Sequence, residues 1–117
     1  MAERKRLICT SAELAEGGIG VRFEVDAIGG PEPAFAVRFR GQAYAYLNRC
    51  GHTPIELDWK PGEFFDISGL YLICATHGAL FDPASGACLG GRCNGRGLDG
   101  LRIIEDAGEV YLIEEGD

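Results

Sequence analysis

The sequence predicts an all-β protein made of small antiparallel sheets. Eighteen glycines and five prolines in 117 residues interrupt the chain at short intervals, and both residues are unfavourable inside helices. Between the interruptions, apolar residues alternate with polar or small ones at the period of a strand with one buried face. The interruptions themselves are turn-forming clusters, spaced as in a protein with many short strands.

Each element follows from these signals. Leu7 to Cys9 reads as a short first strand, and Ser11 to Glu16 as a turn or helical fragment closed by Gly17-Gly18. Val21, Phe23 and Val25 alternate with Arg22 and Glu24 and end at the turn signal Gly29-Gly30-Pro31. Gly41 separates two strands, Ala34 to Arg40 and Gln42 to Leu47, which form a hairpin whose second arm runs into Arg49-Cys50-Gly51-His52. A turn-rich stretch with Pro54, Trp59 and Pro61-Gly62 leads to the apolar strand Leu70 to Ile73, which delivers Cys74-Ala75-Thr76-His77. Leu80 to Asp82, the turn Pro83 to Gly86, a glycine-rich loop through Gly100 and two terminal strands, Leu101 to Glu105 and Glu109 to Ile113, complete the chain.

Length and composition bound the function. A chain of 117 residues is expected to form one domain over 1–117, and its 46% hydrophobic and 25% charged residues are those of an ordinary globular protein. The basic start Met1 to Arg6 is not followed by an apolar signal region, and no run approaches a membrane span, so a cytoplasmic protein is expected. A formal charge of −7 argues against nucleic acid or an anionic membrane as partner and leaves a basic protein surface plausible. Six acidic residues and no basic one between Glu105 and Asp117 read as a solvated tail. The odd count of five cysteines cannot make a complete disulfide framework, which directs attention to metal binding by reduced thiols.

Two pairs carry that chemistry. Cys50-x-His52 and Cys74-x-x-His77 each follow an expected strand, so an approach of the two strand ends would collect four soft-to-borderline ligands. Two thiolates and two imidazoles also suit a structural Cys2His2 zinc site that serves only to bind other proteins. In zinc fingers, however, the cysteines usually come from one loop and the histidines from another, whereas here each loop supplies one of each. The mixed arrangement suits a binuclear cluster with both loops contributing to both irons.

The segment from Cys74 through His77-Gly78, Phe81 and Asp82 to Gly86 resembles the second cluster-binding segment of Rieske ferredoxins and oxygenase ferredoxins, and the resemblance covers almost the whole chain. It implies a single Rieske-type domain whose cluster-binding part, about residues 48–97, is formed by two loops around one [2Fe-2S] cluster. By that resemblance Cys50 and Cys74 are thiolate ligands of the inner iron, and His52 and His77 imidazole ligands of the outer one. The implied function is one-electron transfer from a reductase to an oxygenase or another redox enzyme, with no catalytic residues of the chain's own and no bound nucleotide. The alternative within the resemblance is a small subunit of a larger oxidoreductase, like that of assimilatory nitrite reductase.

The chain departs from the family pattern in four places. Residues 53–73 place twenty-one positions between His52 and Cys74, more than is common in these ferredoxins. High-potential relatives join the two loops by a disulfide, where this chain has Ile55 and Thr76, so no such bridge is expected. Ala79 stands where those relatives carry a serine whose hydroxyl donates to a cluster sulfur, which implies a potential in the lower third of the range of about −150 to +300 mV for Rieske centres. The covering loop Gly90 to Gly97 lacks the usual proline.

The remaining candidates have plainer expectations. Cys9, Cys88 and Cys93 read as small buried or loop residues, and a Cys88–Cys93 disulfide is unsupported in a reducing compartment. Gly95-Arg96-Gly97-Leu98-Asp99-Gly100 matches a dinucleotide fingerprint by coincidence, since no βαβ unit can be read there. A thiol nucleophile with a histidine base would leave a redundant second pair. Trp59, Phe64 and Phe65 are more simply core than docking surface, and Arg49, Arg92 and Arg96 more simply solvated than guiding a partner.

Overall fold

A computed structural model describes residues 3–27, 30–50, 55–76, 78–91, 93 and 95–115. Among the described residues there are nine strands and no α-helix: β1 (Glu3–Thr10), β2 (Val21–Ala27), β3 (Gly30–Phe39), β4 (Gln42–Leu47), β5 (Leu72–Ile73), β6 (Leu80–Phe81), β7 (Cys88–Gly90), β8 (Ile103–Asp106) and β9 (Glu109–Glu115). They form three antiparallel sheets with strand orders β1-β9-β8, β2-β3-β4 and β5-β6-β7. We call these the terminal, central and small sheets.

The central sheet is the middle layer, because its side chains divide between two cores. Phe35, Val37 and Tyr46 pack with Leu57, Phe64, Leu72, Phe81 and Leu98 on the side of the small sheet. Ala36, Ala43 and Ala45 pack with Cys9, Leu14 and Val110 on the side of the terminal sheet. In β3 the four consecutive residues Ala34 to Val37 are therefore all buried, the expected mark of a strand covered on both faces. The fully buried bulk is one-sided: Phe35 and Tyr46 face the small sheet, where Phe35 stacks on Phe64 with centroids 4.0 Å apart, and the methyl groups of Ala36, Ala43 and Ala45 face the terminal sheet, joined there by the partly buried Phe23.

The expected β3–β4 hairpin closes through Arg40 (φ 52°) and Gly41 (φ 81°), the left-handed pair of a two-residue turn matched to strand twist. Arginine is unusual there; the Glu16 carboxylate accepts the backbone N–H groups of both Arg40 and Gly41 and so holds the turn.

The elements depart from expectation where partners outweigh local pattern. β1 begins at Glu3 because its charged start pairs with β9, Arg4 opposite Glu114 and Lys5 opposite Ile113. β5 is reduced to Leu72–Ile73, although the Asp66 N–H still bonds the Tyr71 carbonyl at 2.9 Å. β7 was expected as loop, and forms because Leu80 and Phe81 offer an edge that pairs with Gly90 and Cys88 across a bulge. The acidic C-terminal stretch is not simply solvated: Glu105 binds Arg38 at 2.6 Å, and Glu114 lies 3.4 Å from Arg6.

Candidate metal centre

The two cysteine segments leave neighbouring strand ends. β4 stops at Leu47 and the chain continues through Asn48 and Arg49 to Cys50; β5 runs directly into Cys74. After Cys74 the chain turns tightly, with the Gly78 N–H donating to the Cys74 carbonyl at 2.7 Å and the Cys74 N–H to the Ala79 carbonyl at 2.9 Å. Gly78 takes φ +70° to close this turn, a conformation that favours glycine.

Cys50 and Cys74 are 3% and 0% exposed and belong to the same core cluster, together with Ala79 and Cys93. Their thiols are hydrogen-bonded neighbours; burial first, and then the Cys74 thiol, push the Cys50 thiol up to about 12. A bound cation displaces the proton of such a buried thiol outright. Two converging soft donors in an apolar cup fit a thiolate-ligated iron. His52 and His77 lie outside the described residues, as does Arg92.

Sequence reasoning missed the segment that separates the two cysteine loops. The Ile55 carbonyl accepts from Cys50 N–H at 2.8 Å, and the Leu57 carbonyl from Ala75 N–H at 3.0 Å. Buried Asn48 fixes this segment: its Oδ1 accepts the Leu57 N–H at 2.8 Å and its Nδ2 donates to Asp58 Oδ1 at 3.0 Å. Asp58 Oδ2 accepts the Gly62 N–H at 2.9 Å and lies 3.3 Å from Arg22 Nε. The turn signal Asp58-Trp59-Lys60-Pro61-Gly62 could have flagged an aspartate that bonds nearby backbone.

The covering loop is held in two ways. Gly91 packs so closely on Gly78 and Ala79 that a Cβ there would meet Ala79 Cα and the Gly78 carbonyl at 2.8 Å. Cys88 and Cys93, expected as unlinked residues, are joined by a disulfide with Cα atoms 6.1 Å apart; spacing alone could not tell that β7 would turn Cys88 toward Cys93. Cys9 sits in the other core, its thiol pushed up to about 11 by burial and then by Glu13.

The other candidates divide. Phe64 is core, Phe65 is half-buried and stacks with Phe39, and Trp59 is 79% exposed. Arg49 pairs with Glu32 at 3.2 Å and Asp99 at 3.1 Å, so its charge is engaged locally, whereas the Arg96 side chain is exposed. Among the described residues the glycine motif Gly95 to Gly100 opens no helix; Gly100 instead bridges to Tyr46. No helix of the described residues is long and apolar enough to cross a membrane.

Comparison with known proteins places this geometry. The chain is similar to the ferredoxin of carbazole 1,9a-dioxygenase from Nocardioides aromaticivorans IC177, with TM-score 0.72 and 24% identity over 92% of this chain and 95% of that one. It is also similar to the Sphingomonas yanoikuyae B1 ferredoxin, with TM-score 0.75 and 20% identity over 96% and 100% of the two chains. The terminal oxygenase of carbazole 1,9a-dioxygenase from N. aromaticivorans IC177 matches at TM-score 0.69 and 19% identity, over 97% of this chain and 31% of that one. At these identities the likeness shows the fold. No curated protein matches the sequence. The profile of the Rieske [2Fe-2S] domain matches residues 5–105, and the chain therefore belongs to the Rieske [2Fe-2S] domain family, whose cofactor is a [2Fe-2S] cluster.

Proposed function

We propose that this chain is a one-electron carrier, a Rieske-type ferredoxin of the cytoplasm formed as a single domain over residues 1–117. In it Cys50 and Cys74 hold one iron of the cluster, and His52 and His77 the other. The observation that carries this reading is the buried, hydrogen-bonded Cys50–Cys74 thiol pair at two strand ends within the matched domain. When bound, the cluster takes up and gives back a single electron. The protein's share is to exclude water from the thiolate side, through Leu57, Leu72, Phe81 and the loop around Gly91, and to fix the two cysteine loops.

The partners we propose are a reductase as donor and an oxygenase as acceptor. Likeness to two ferredoxins along nearly their full length supports this, as does likeness to the ferredoxin in a complex of reduced oxygenase and oxidized ferredoxin of carbazole 1,9a-dioxygenase, with TM-score 0.71 and 24% identity over 97% of this chain and 95% of that one. The match to part of a terminal oxygenase keeps a second reading, a component of a larger oxidoreductase; a stoichiometric large subunit that co-purifies would favour it. The family membership weighs against the Cys2His2 zinc reading.

A visible spectrum of anaerobically purified protein, before and after dithionite, with metal counted per chain, tests the proposal. Bands that bleach, with about two irons per chain, support the carrier. A colourless protein with one zinc per chain would overturn it.

A further inference from the structure

Residues 55–58 form a strut between the two cysteine loops, and their carbonyls face both ways. One accepts the backbone N–H of Cys50, the other that of Ala75, the residue after Cys74. The strut is anchored partly by residues of its own, with Glu56 paired to Arg22 on β2 at 3.0 Å. Its position is also set by Asn48, 0% exposed, and Asp58, 8% exposed: Asn48 takes the Leu57 N–H and gives a hydrogen bond to Asp58, while Asp58 takes the Gly62 N–H and pairs with Arg22 on β2. Asn48 is also two residues from Cys50, so a single side chain registers the first cysteine loop against the strut that contacts the second.

We infer that Asn48 and Asp58 are positioning residues for the cluster, which through the 55–58 strut hold the Cys50 and Cys74 loops at a fixed separation. The inference rests on the ligand assignment proposed above. Buried polar groups of this kind stabilise only when every member is satisfied, and here each oxygen of both side chains and the Asn48 amide have a partner. Groups that orient metal ligands from behind typically change metal affinity or activity by about 10- to 100-fold when removed.

The test uses three loaded proteins: wild type, Asn48→Asp, and the reciprocal pair Asn48→Asp with Asp58→Asn. The single change puts a second carboxylate opposite Asp58, at a contact now 3.0 Å long. The reciprocal pair restores a donor and acceptor in swapped order and keeps an acceptor for the Leu57 N–H. The readouts are iron loss to a chelator, the electron paramagnetic resonance spectrum of the dithionite-reduced protein, and alkylation of Cys50 and Cys74 by iodoacetamide in metal-free chain.

The single variant is expected to lose iron about tenfold faster, to show a shifted or broadened spectrum, and to expose both thiols to alkylation, with all three reverting in the reciprocal pair. Unchanged iron loss, spectrum and alkylation in the single variant would overturn the inference, as would failure of the reciprocal pair to rescue a chain that melts as wild type does. Should Asn48→Asp not fold, Asp58→Asn alone, which removes charge at constant size, carries the same readouts. A wild type that binds no cluster would defeat the ligand assignment instead, and the alkylation arm would still judge the strut.

Discussion

The terminal and small sheets solve the same problem with opposite means. The terminal sheet has strands of eight, four and seven residues, with charged residues along its exposed face and long ladders, shifted in register between Leu7 and Cys9, that pair its backbone. The small sheet has strands of two, two and three residues, too short to persist on ladder bonds alone. It is held instead by the fully buried rings of Phe35, Phe64 and Phe81, by loop hydrogen bonds from Cys74, Ala75 and Gly78, and by the Cys88–Cys93 link. The region that holds the proposed metal site is thus the one with the shortest strands and with a core of fully buried rings. A ladder fixes a strand; only side chains and cross-links fix a loop.

The contrast can be broken first at its most demanding point. On the proposed ligand set, Cys74→Ser should abolish the visible bands and the bound iron, because the fully buried Cys74 thiol is lost, while far-ultraviolet circular dichroism keeps the signature of the terminal sheet. Loss of that signature as well would mean that the two regions do not hold independently.

Packing gives the next largest effect. Phe64→Ala should cost about 3–5 kcal/mol in denaturant unfolding, since the ring is fully buried against Phe35. Leu7→Ala on the exposed face of β1 should cost about 0.5 kcal/mol or less. Equal costs would erase the difference between the sheets.

A redox change sharpens the picture. Ala79→Ser adds a hydroxyl in the buried turn after His77-Gly78, and is expected to raise the midpoint by about 60 mV, the one-electron equivalent of a hydrogen bond worth about 1.4 kcal/mol. Protein-film voltammetry reads this directly, and an unchanged or lowered midpoint would remove Ala79 as a cause of low potential.

A charge effect of similarly small size belongs to the terminal side. Arg38 holds the Glu105 carboxyl below its ordinary range, by hydrogen bond first. A lowered folded value stabilises above the unfolded carboxylate pKa of about 4.3 and is lost as pH falls through the folded value. Glu105→Gln should therefore cost no more than about 1 kcal/mol at pH 7, with the difference from wild type closing below about pH 4 in pH-dependent urea unfolding. A gap that persists there would point to packing instead of charge.

Legibility in the sequence follows the same division. Alternation in Val21 to Val25 and in Gln42 to Leu47 marked β2 and β4 because one face of each is buried more deeply than the other. β7 was illegible because Cys88-Leu89-Gly90 has no pattern of its own and pairs only where β6 presents an edge. The convergence of Cys50 and Cys74 was legible because each follows an apolar run that reads as a strand, while His52 and His77 lie outside the described residues. Asn48, Asp58 and the strut were not, since their roles exist only once segments ten residues apart, and β2 beyond them, have been brought together. Trp59 and Phe64 looked alike as aromatics; only the turn at Asp58 to Gly62 sends one to solvent and the other to the core.

Because β3 lends alternate side chains to both cores, neither core can open while the other stays intact without tearing the same strand. The amides of Ala34 to Val37 should therefore exchange with deuterium only through global opening, whereas those of β5 and β6 exchange through smaller, local fluctuations. Electron transfer would then take place at the edge of a body that breathes locally and is anchored by one strand common to both halves.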